Sequence, residues 1–165
     1  MKPIIKLNKI EKIFNKSKIL REINIEVSKG ESLVIIGTSG SGKSVLMKCL
    51  LGIIEISKGD IIIDDYNSYN SSKKKREDIL RRFGVTFQGG ALFDSISIWE
   101  NVSFRLARDP FITNKEVKER VEVTLKSLNL DNSIMYLFPS QLSGGMQKRV
   151  AIARAIIDQR SEERR

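Results

Sequence analysis

Gly37-Thr38-Ser39-Gly40-Ser41-Gly42-Lys43-Ser44 fits the pattern G-x-x-x-x-G-K-[ST]. In such a run the glycines let the backbone wrap an anion with its N–H groups pointing inward. A helix that opens directly after it adds about half a positive charge at the same place. Lys43 is spaced to reach the β and γ phosphates of a nucleotide, and the Ser44 hydroxyl to hold Mg²⁺. The plainer alternative is a flexible turn that ends a strand. At average residue usage the four fixed positions coincide by chance in under about one chain in a hundred of this length, so nucleotide binding is the expectation.

A second group of small residues opens another helix downstream. Leu142-Ser143-Gly144-Gly145-Met146 is followed by Lys148-Arg149-Val150 and Ala153-Arg154-Ala155. The Ser143 hydroxyl and the N–H groups of Gly144 and Gly145 can meet an anion at close range; taken alone, the tripeptide also serves as an N-cap and loop. This stretch closely resembles the signature sequence of ABC ATPases. The resemblance implies that Ser143, Gly144 and Gly145 meet the γ-phosphate held by the 37–44 loop of an opposing subunit. ATP would then sit between two chains, as a homodimer or another pairing of ATP-binding subunits.

Two further residues take their roles from the same resemblance. Gln88, a neutral amide after a short predicted strand, matches the Q-loop residue that approaches Mg²⁺ and the attacking water; a lone glutamine there would otherwise be surface decoration. Phe14 lies where the family carries an aromatic ring that stacks on adenine, and it suits a core ring equally well. Gln88-Gly89-Gly90-Ala91-Leu92-Phe93-Asp94-Ser95 with Trp99-Glu100-Asn101-Val102 is similar to one branch of the family. That branch serves lipid-moving importers with mammalian-cell-entry-type subunits and is also labelled toluene-tolerance or ribonucleotide transport. It implies phospholipid or another hydrophobic cargo, carried by a separate membrane permease subunit.

The elements that must position these residues follow from periodicity. Ile23, Ile25 and Val27 alternate as in a half-exposed strand within 19–27, turned by Lys29-Gly30. Glu31 to Ile36 is continuously apolar after its first residues, as in a strand buried on both faces of a parallel sheet. Val45, Leu46, Cys49 and Leu50 recur at helical spacing from Ser44 to Leu51, with Gly52 as the C-cap. Gly59 to Ile63 reads as a strand, Asp64 to Ser72 as a polar loop, Lys73 to Phe83 as a basic helix and Gly84 to Phe87 as a short strand. The run Lys73-Lys74-Lys75-Arg76 fits a solvated helix face better than a binding site. Asp94 to Arg108 reads as helix. Thr113-Asn114-Lys115-Glu116 is a capping box opening a helix whose stripe is Val117, Val121, Leu125 and Leu128. A last helix is expected from Met146 to Ile157.

Composition bounds the function. With 165 residues, 41% hydrophobic and 30% charged, the chain suits one soluble domain with a real core. It contains no histidine, which excludes His-based triads, His-ligated zinc and a histidine general base. The one cysteine, Cys49, is expected to be a buried inert thiol. No apolar run approaches the roughly 20 residues of a membrane span, and the start carries no secretory pattern. A cytoplasmic location is expected, peripheral on the inner face of the membrane when in complex. The net charge of +9 fits an anionic partner without choosing one. An ABC-type ATPase acting on nucleic acid would rest on that charge alone, so a nucleic-acid partner is not expected.

The expected fold is α/β: a P-loop NTPase (RecA-like) core with an antiparallel β region at the N-terminus, C-terminally incomplete. Residues 1–165 form one ATP-binding domain, with the core at 1–94 and 141–157 and a helical subdomain at about 95–140. Members of the resembled family continue for about 80 residues more. After the signature helix they carry an apolar strand ending in Asp and Glu, and later a switch histidine. Ile156-Ile157-Asp158-Gln159 instead continues the helix, and Arg160-Ser161-Glu162-Glu163-Arg164-Arg165 is too charged for a buried strand. The expectation is therefore a truncated product with no catalytic residue of its own, weak or absent hydrolysis, and apolar sheet edges left exposed. The leading reading is an ATP-binding subunit of an ABC transporter. A non-hydrolysing regulatory subunit is the second.

Overall fold

A computed structural model describes residues 2–87 and 90–158. They divide into two compact units, Met1–Arg81 and Arg82–Arg165, each with its own core.

The first unit is built on a hairpin. β1 (Pro3–Phe14) and β2 (Ser17–Ser28) pair antiparallel with Leu7 opposite Ile25 and Phe14 opposite Ser17. Asn15 and Lys16 join them, both at positive φ, 44° and 70°, the backbone twist that a two-residue hairpin turn requires. β3 (Lys58–Ile63) lies on the other side of β1, with Leu7 opposite Ile61, and β4 (Tyr66–Asn67) pairs with β3. The sheet is four-stranded in the order β2-β1-β3-β4. β4 occupies part of the stretch expected to be only loop, because Asp64 and Asp65 both take positive φ and return the chain tightly. Leu7, Ile10, Leu20, Ile61 and Ile63 are buried in the sheet, joined by Leu46 and Cys49 of α1 (Lys43–Leu50) and by Ile79 of α2 (Lys73–Arg81). Gly52 ends α1 at φ 66°, donating its N–H to Cys49 O, as its spacing predicted. Burial raises the Cys49 thiol pKa, which keeps it protonated and inert.

Two expected strands are absent. Glu31 to Ile36 carries no strand pairing, and its apolar side chains stand in the open: Leu33 is 48%, Val34 77% and Ile36 89% exposed. Gly84 to Phe87 is likewise unpaired, with Phe87 exposed. The physical reason is that a strand exists only by its neighbour's hydrogen bonds. Among the described residues no segment lies beside either run as a ladder partner. An apolar sequence specifies where a strand wants to be, not that a partner is supplied.

The second unit is helical. α3 (Ile98–Ser103) is shorter than the expected 94–108 helix. Ser97 caps it in a full capping box with Glu100, and the buried Asn101 side chain binds the turn before it. Asn101 Oδ1 accepts from Phe93 N at 2.8 Å, and Nδ2 donates to the carbonyls of Phe93, Ile96 and Ser97 at 3.0 to 3.1 Å. Those bonds fix 93–97 as a turn, so the helix cannot begin earlier. A 3-10 turn at Leu106–Arg108 follows. α4 (Asn114–Ser127) opens with the Thr113–Glu116 capping box and buries Val117, Val121 and Leu125; Leu128 packs against the same cluster. Short 3-10 turns at Asn132–Tyr136 and Pro139–Gln141 lead into α5 (Gly144–Ile156). Ile98, Val102, Val121, Leu125, Val150 and Ala153 are the centre of this core. Among the described residues no helix is long and apolar enough to cross a membrane.

Candidate functional site

The 37–44 loop runs from the exposed apolar segment into α1. Ser41 N donates to Thr38 O at 3.3 Å, making a turn whose crown holds Gly40 at φ 80° with open space around its missing Cβ. Gly42 is required twice over. Its φ is 93°, and a Cβ there would stand 3.1 Å from Leu20 Cδ2 and 3.2 Å from Ile19 Cγ2 of β2. The loop is therefore seated on the hairpin through a glycine, with no room for a larger residue. Its carbonyl accepts from Leu46 N at 2.9 Å, the first turn of α1.

Lys43 closes back over this turn. Its ammonium donates to Gly37 O and Thr38 O, both at 2.7 Å, and lies 3.4 Å from Ser41 Oγ. All of these partners are neutral, so the positive charge is positioned without being cancelled. Ser39, Ser41 and Ser44 are exposed, Ser44 in the first turn of α1. Thr38 is exposed beside them. The arrangement offers one fixed cation, several hydroxyls and the N–H groups of a helix start, which is the chemistry of a phosphate.

Phe14 ends β1, two-fifths exposed, with Lys12 Nζ 4.7 Å above its ring. Lys12 pairs with Leu20, and Leu20 touches Gly42. The turn end of the hairpin, with Phe14, is thus the end nearest the glycine-rich loop. The ring is too open to be a core residue. The lysine lies on one face of the ring, a cation that sequence spacing did not suggest.

In the second unit Ser143 caps α5, its Oγ accepting from Met146 N at 3.4 Å. Gly144 and Gly145 are the first two helical residues. Neither needs to be glycine for its own fold: φ is not in the left-handed region, and a Cβ would meet nothing within 4 Å. Gln147 steadies the loop from below, its Nε2 donating to Pro139 O at 2.8 Å and Leu142 O at 3.2 Å. Arg149 donates to Leu128 O and Asn129 O, holding the end of α4 against α5. Gln88 lies outside the described residues.

Gln147 and Ile19 are supports that sequence reading passed over. Gln147 sits one turn into an amphipathic helix, where a polar residue signals solvent unless its loop is known. Ile19 looked like one more strand residue.

Residues 20–161 match the family model described as ABC transporter. Over 157 residues the chain is 38% identical to the spermidine/putrescine import ATP-binding protein PotA of Haemophilus influenzae, covering 95% of this chain and 40% of that protein. It is 36% identical over 153 residues to the probable ribonucleotide transport ATP-binding protein mkl of Mycobacterium bovis, covering 93% and 42%. The chain thus spans less than half the length of these relatives. Among solved structures it resembles a dimeric bacterial ABC transporter cassette, with TM-score 0.82, 30% identity and coverage of 94% of this chain and 70% of that one. It also resembles cbiO1 of Clostridium perfringens, part of the ABC transporter complex cbiONQ, with TM-score 0.82, 29% identity and coverage of 95% and 62%. A third is a cassette in a post-hydrolysis state bound to ADP and Pi, at TM-score 0.80 and 30% identity, covering 94% of this chain and 70% of that one.

Proposed function

The chain belongs to the ABC transporter family, and from that premise we propose that it is the ATP-binding subunit of a transporter whose membrane permease is a separate chain. The observation that carries this is Lys43, an ammonium held over an open glycine turn by neutral partners, two carbonyls and the Ser41 hydroxyl. Gly37, Thr38, Ser39, Gly40, Ser41, Gly42 and Lys43 would cradle the β and γ phosphates, and Phe14 would stack on the base. These residues fit such a group, since the crown at Gly40 has the space and Lys43 supplies the charge. Among the described residues no cluster of three or more acidic, His or Cys side chains gathers for a metal. Mg²⁺ would come with the phosphates, with the Ser44 hydroxyl and, on the family resemblance alone, Gln88 as its protein ligands. When bound, the metal supplies charge neutralisation at the β and γ phosphates.

Gly144 and Gly145 support a pairing of subunits across the nucleotide. A glycine in a helix costs up to about 1 kcal/mol relative to alanine, and among the described residues nothing crowds the Cβ position of either. Close approach of a group from outside the chain, such as the phosphate carried by an opposing subunit, accounts for both. For the domain organisation we propose a single ATP-binding domain over residues 1–165, with core segments at 1–94 and 141–157 and a helical subdomain at about 95–140. Working on a permease, the subunit would lie on the cytoplasmic face of the membrane. For cargo we propose a hydrophobic molecule, on the likeness of Gln88–Ser95 and Trp99–Val102 to the lipid-moving branch. The names of the relatives offer polyamines and ribonucleotides as the competing classes.

The test is a titration of the purified chain with a fluorescent ATP analogue and Mg²⁺, following phosphate release in the same tubes. Saturable binding weakened by about tenfold to a hundredfold in Lys43→Ala supports the reading, that being the worth of a charge-assisted hydrogen bond to phosphate. Equal binding by the two chains, or none by either, overturns it. Phosphate release distinguishes a hydrolysing subunit from one that only holds nucleotide.

A further inference from the structure

One face of α5 carries Gln147, Ala151 and Arg154, spaced i, i+4 and i+7, with Ala155 beside them. Together they meet the loop before Ser143 and the segment from Gly84 to Phe93. Gln147 grips the loop before Ser143 through Pro139 O and Leu142 O. At Ala151 the helix lies close to Gly90: a Cβ there would make ordinary contact, 3.5 Å from Ala151 Cβ and 3.6 Å from Gln147 O, and it is the φ of 81° that favours glycine. Arg154 Nη2 donates to Gly90 O at 3.0 Å, and its guanidinium lies 5.6 Å from the centre of the Phe93 ring. Phe93 in turn packs on Phe104 at 4.8 Å between centroids. At the far end a Cβ on Gly84 would fall 2.1 Å from Ala155 O. The segment that includes Gln88 thus has both ends, Gly84 and Gly90, laid against the helix that begins with Ser143, Gly144 and Gly145.

Arg154 is costly to place there. Burial lowers the pKa of its guanidinium, and its hydrogen bond goes to a main-chain carbonyl, with no carboxylate in the contact. A lysine or methionine stem would fill similar space. The planar fork alone both donates to Gly90 O and stacks on Phe93.

The structure assigns Arg154 as a positioning residue that clamps Gly90 and Phe93, the stretch following Gln88 in sequence, onto α5, so that this stretch and the helix opened by Ser143 are held in one register. This rests on the reading of Gln88 and Ser143–Gly145 as nucleotide-contacting. The clamp's contacts all lie within this chain, and it is tested without nucleotide.

The experiment is hydrogen exchange by mass spectrometry on the full nucleotide-free chain, its Arg154→Met and its Arg154→Lys variants. Unfolding of each is followed by the fluorescence of Trp99, the chain's one tryptophan. In Arg154→Met, exchange over 91–97 is expected to rise by about tenfold or more, the loss of a charge-assisted bond, with α4 and the Trp99 midpoint little changed. Arg154→Lys, which can still donate to Gly90 O, should recover part of the protection. Unchanged exchange over 91–97 in Arg154→Met overturns the assignment. So does a rise spread evenly over α4 and α5, which would make Arg154 a general support, or a lysine variant no better than methionine. Binding of the ATP analogue is measured separately. Its absence would sink the proposed function while leaving the exchange result to decide the clamp.

Discussion

The two glycine-rich loops of this chain open helices in the same way but differ in what stands behind them. The 143–145 loop is entered from a 3-10 turn and rests on Gln147, and its helix packs Val150 and Ala153 into a core with α3 and α4. The 37–44 loop is entered from an apolar run whose members are largely exposed and unpaired. It is seated on the hairpin where Gly42 meets Ile19 and Leu20. Local sequence built both loops, because glycine placement and a helix start are local matters. Support is a tertiary property, and it reached one loop more fully than the other.

Side-chain truncations in both regions test this difference in support. Leu125→Ala removes a fully buried residue of the helical core and should cost about 2–5 kcal/mol. Ile36→Ala, at a residue 89% exposed, should stay within about 0.5 kcal/mol. Chemical denaturation followed by circular dichroism measures both. Equal losses would mean that residues 33–36 are buried in the folded protein and the contrast is false. A finer probe is Ser143→Ala, which removes the cap of α5 and should cost about 1 kcal/mol, recovered in Ser143→Asp. No loss would show that the loop, not the cap, holds the start of that helix.

The smallest effect concerns the hairpin. Glu11 lies almost buried in β1 with Lys18 Nζ 3.0 Å from Oε1. That hydrogen bond, helped by the charge of Lys18, outweighs desolvation and holds its carboxyl below the ordinary glutamate range. A folded-state pKa that is lowered contributes stability above the unfolded value and loses it as pH falls through the lowered one. Thermal melts of wild type and Glu11→Gln should therefore differ near neutral pH and converge in acid. A gap that widens on acidification would reverse the sign of the argument.

Much of this was legible in advance. The helix of residues 43–50, its glycine C-cap, the Thr113 capping box and the stripe Val117, Val121 and Leu125 follow from spacing alone, since each depends on residues within a few positions. The strands at 31–36 and 84–87 were misread for the same reason that the helices were read well. Apolar β-branched runs declare a preference, but ladder hydrogen bonds come from elsewhere in the chain or from another one. The 94–108 helix was overextended because Asn101, whose side chain ties 93–97 into a turn, looks from sequence like any polar helix residue.

The sequence by itself determined the chemistry available: a lysine at the end of a glycine turn, a serine and two glycines at a helix start, and no histidine. It could do so because those features are set by residue type and short spacing. Only the tertiary structure decided that Phe14 lies open at the end of the hairpin nearest the glycine-rich loop, and that Arg154 of α5 reaches Gly90 across 64 positions of sequence. Contacts at such separations depend on how packed elements bring backbone and side chain together, and no local pattern carries that information.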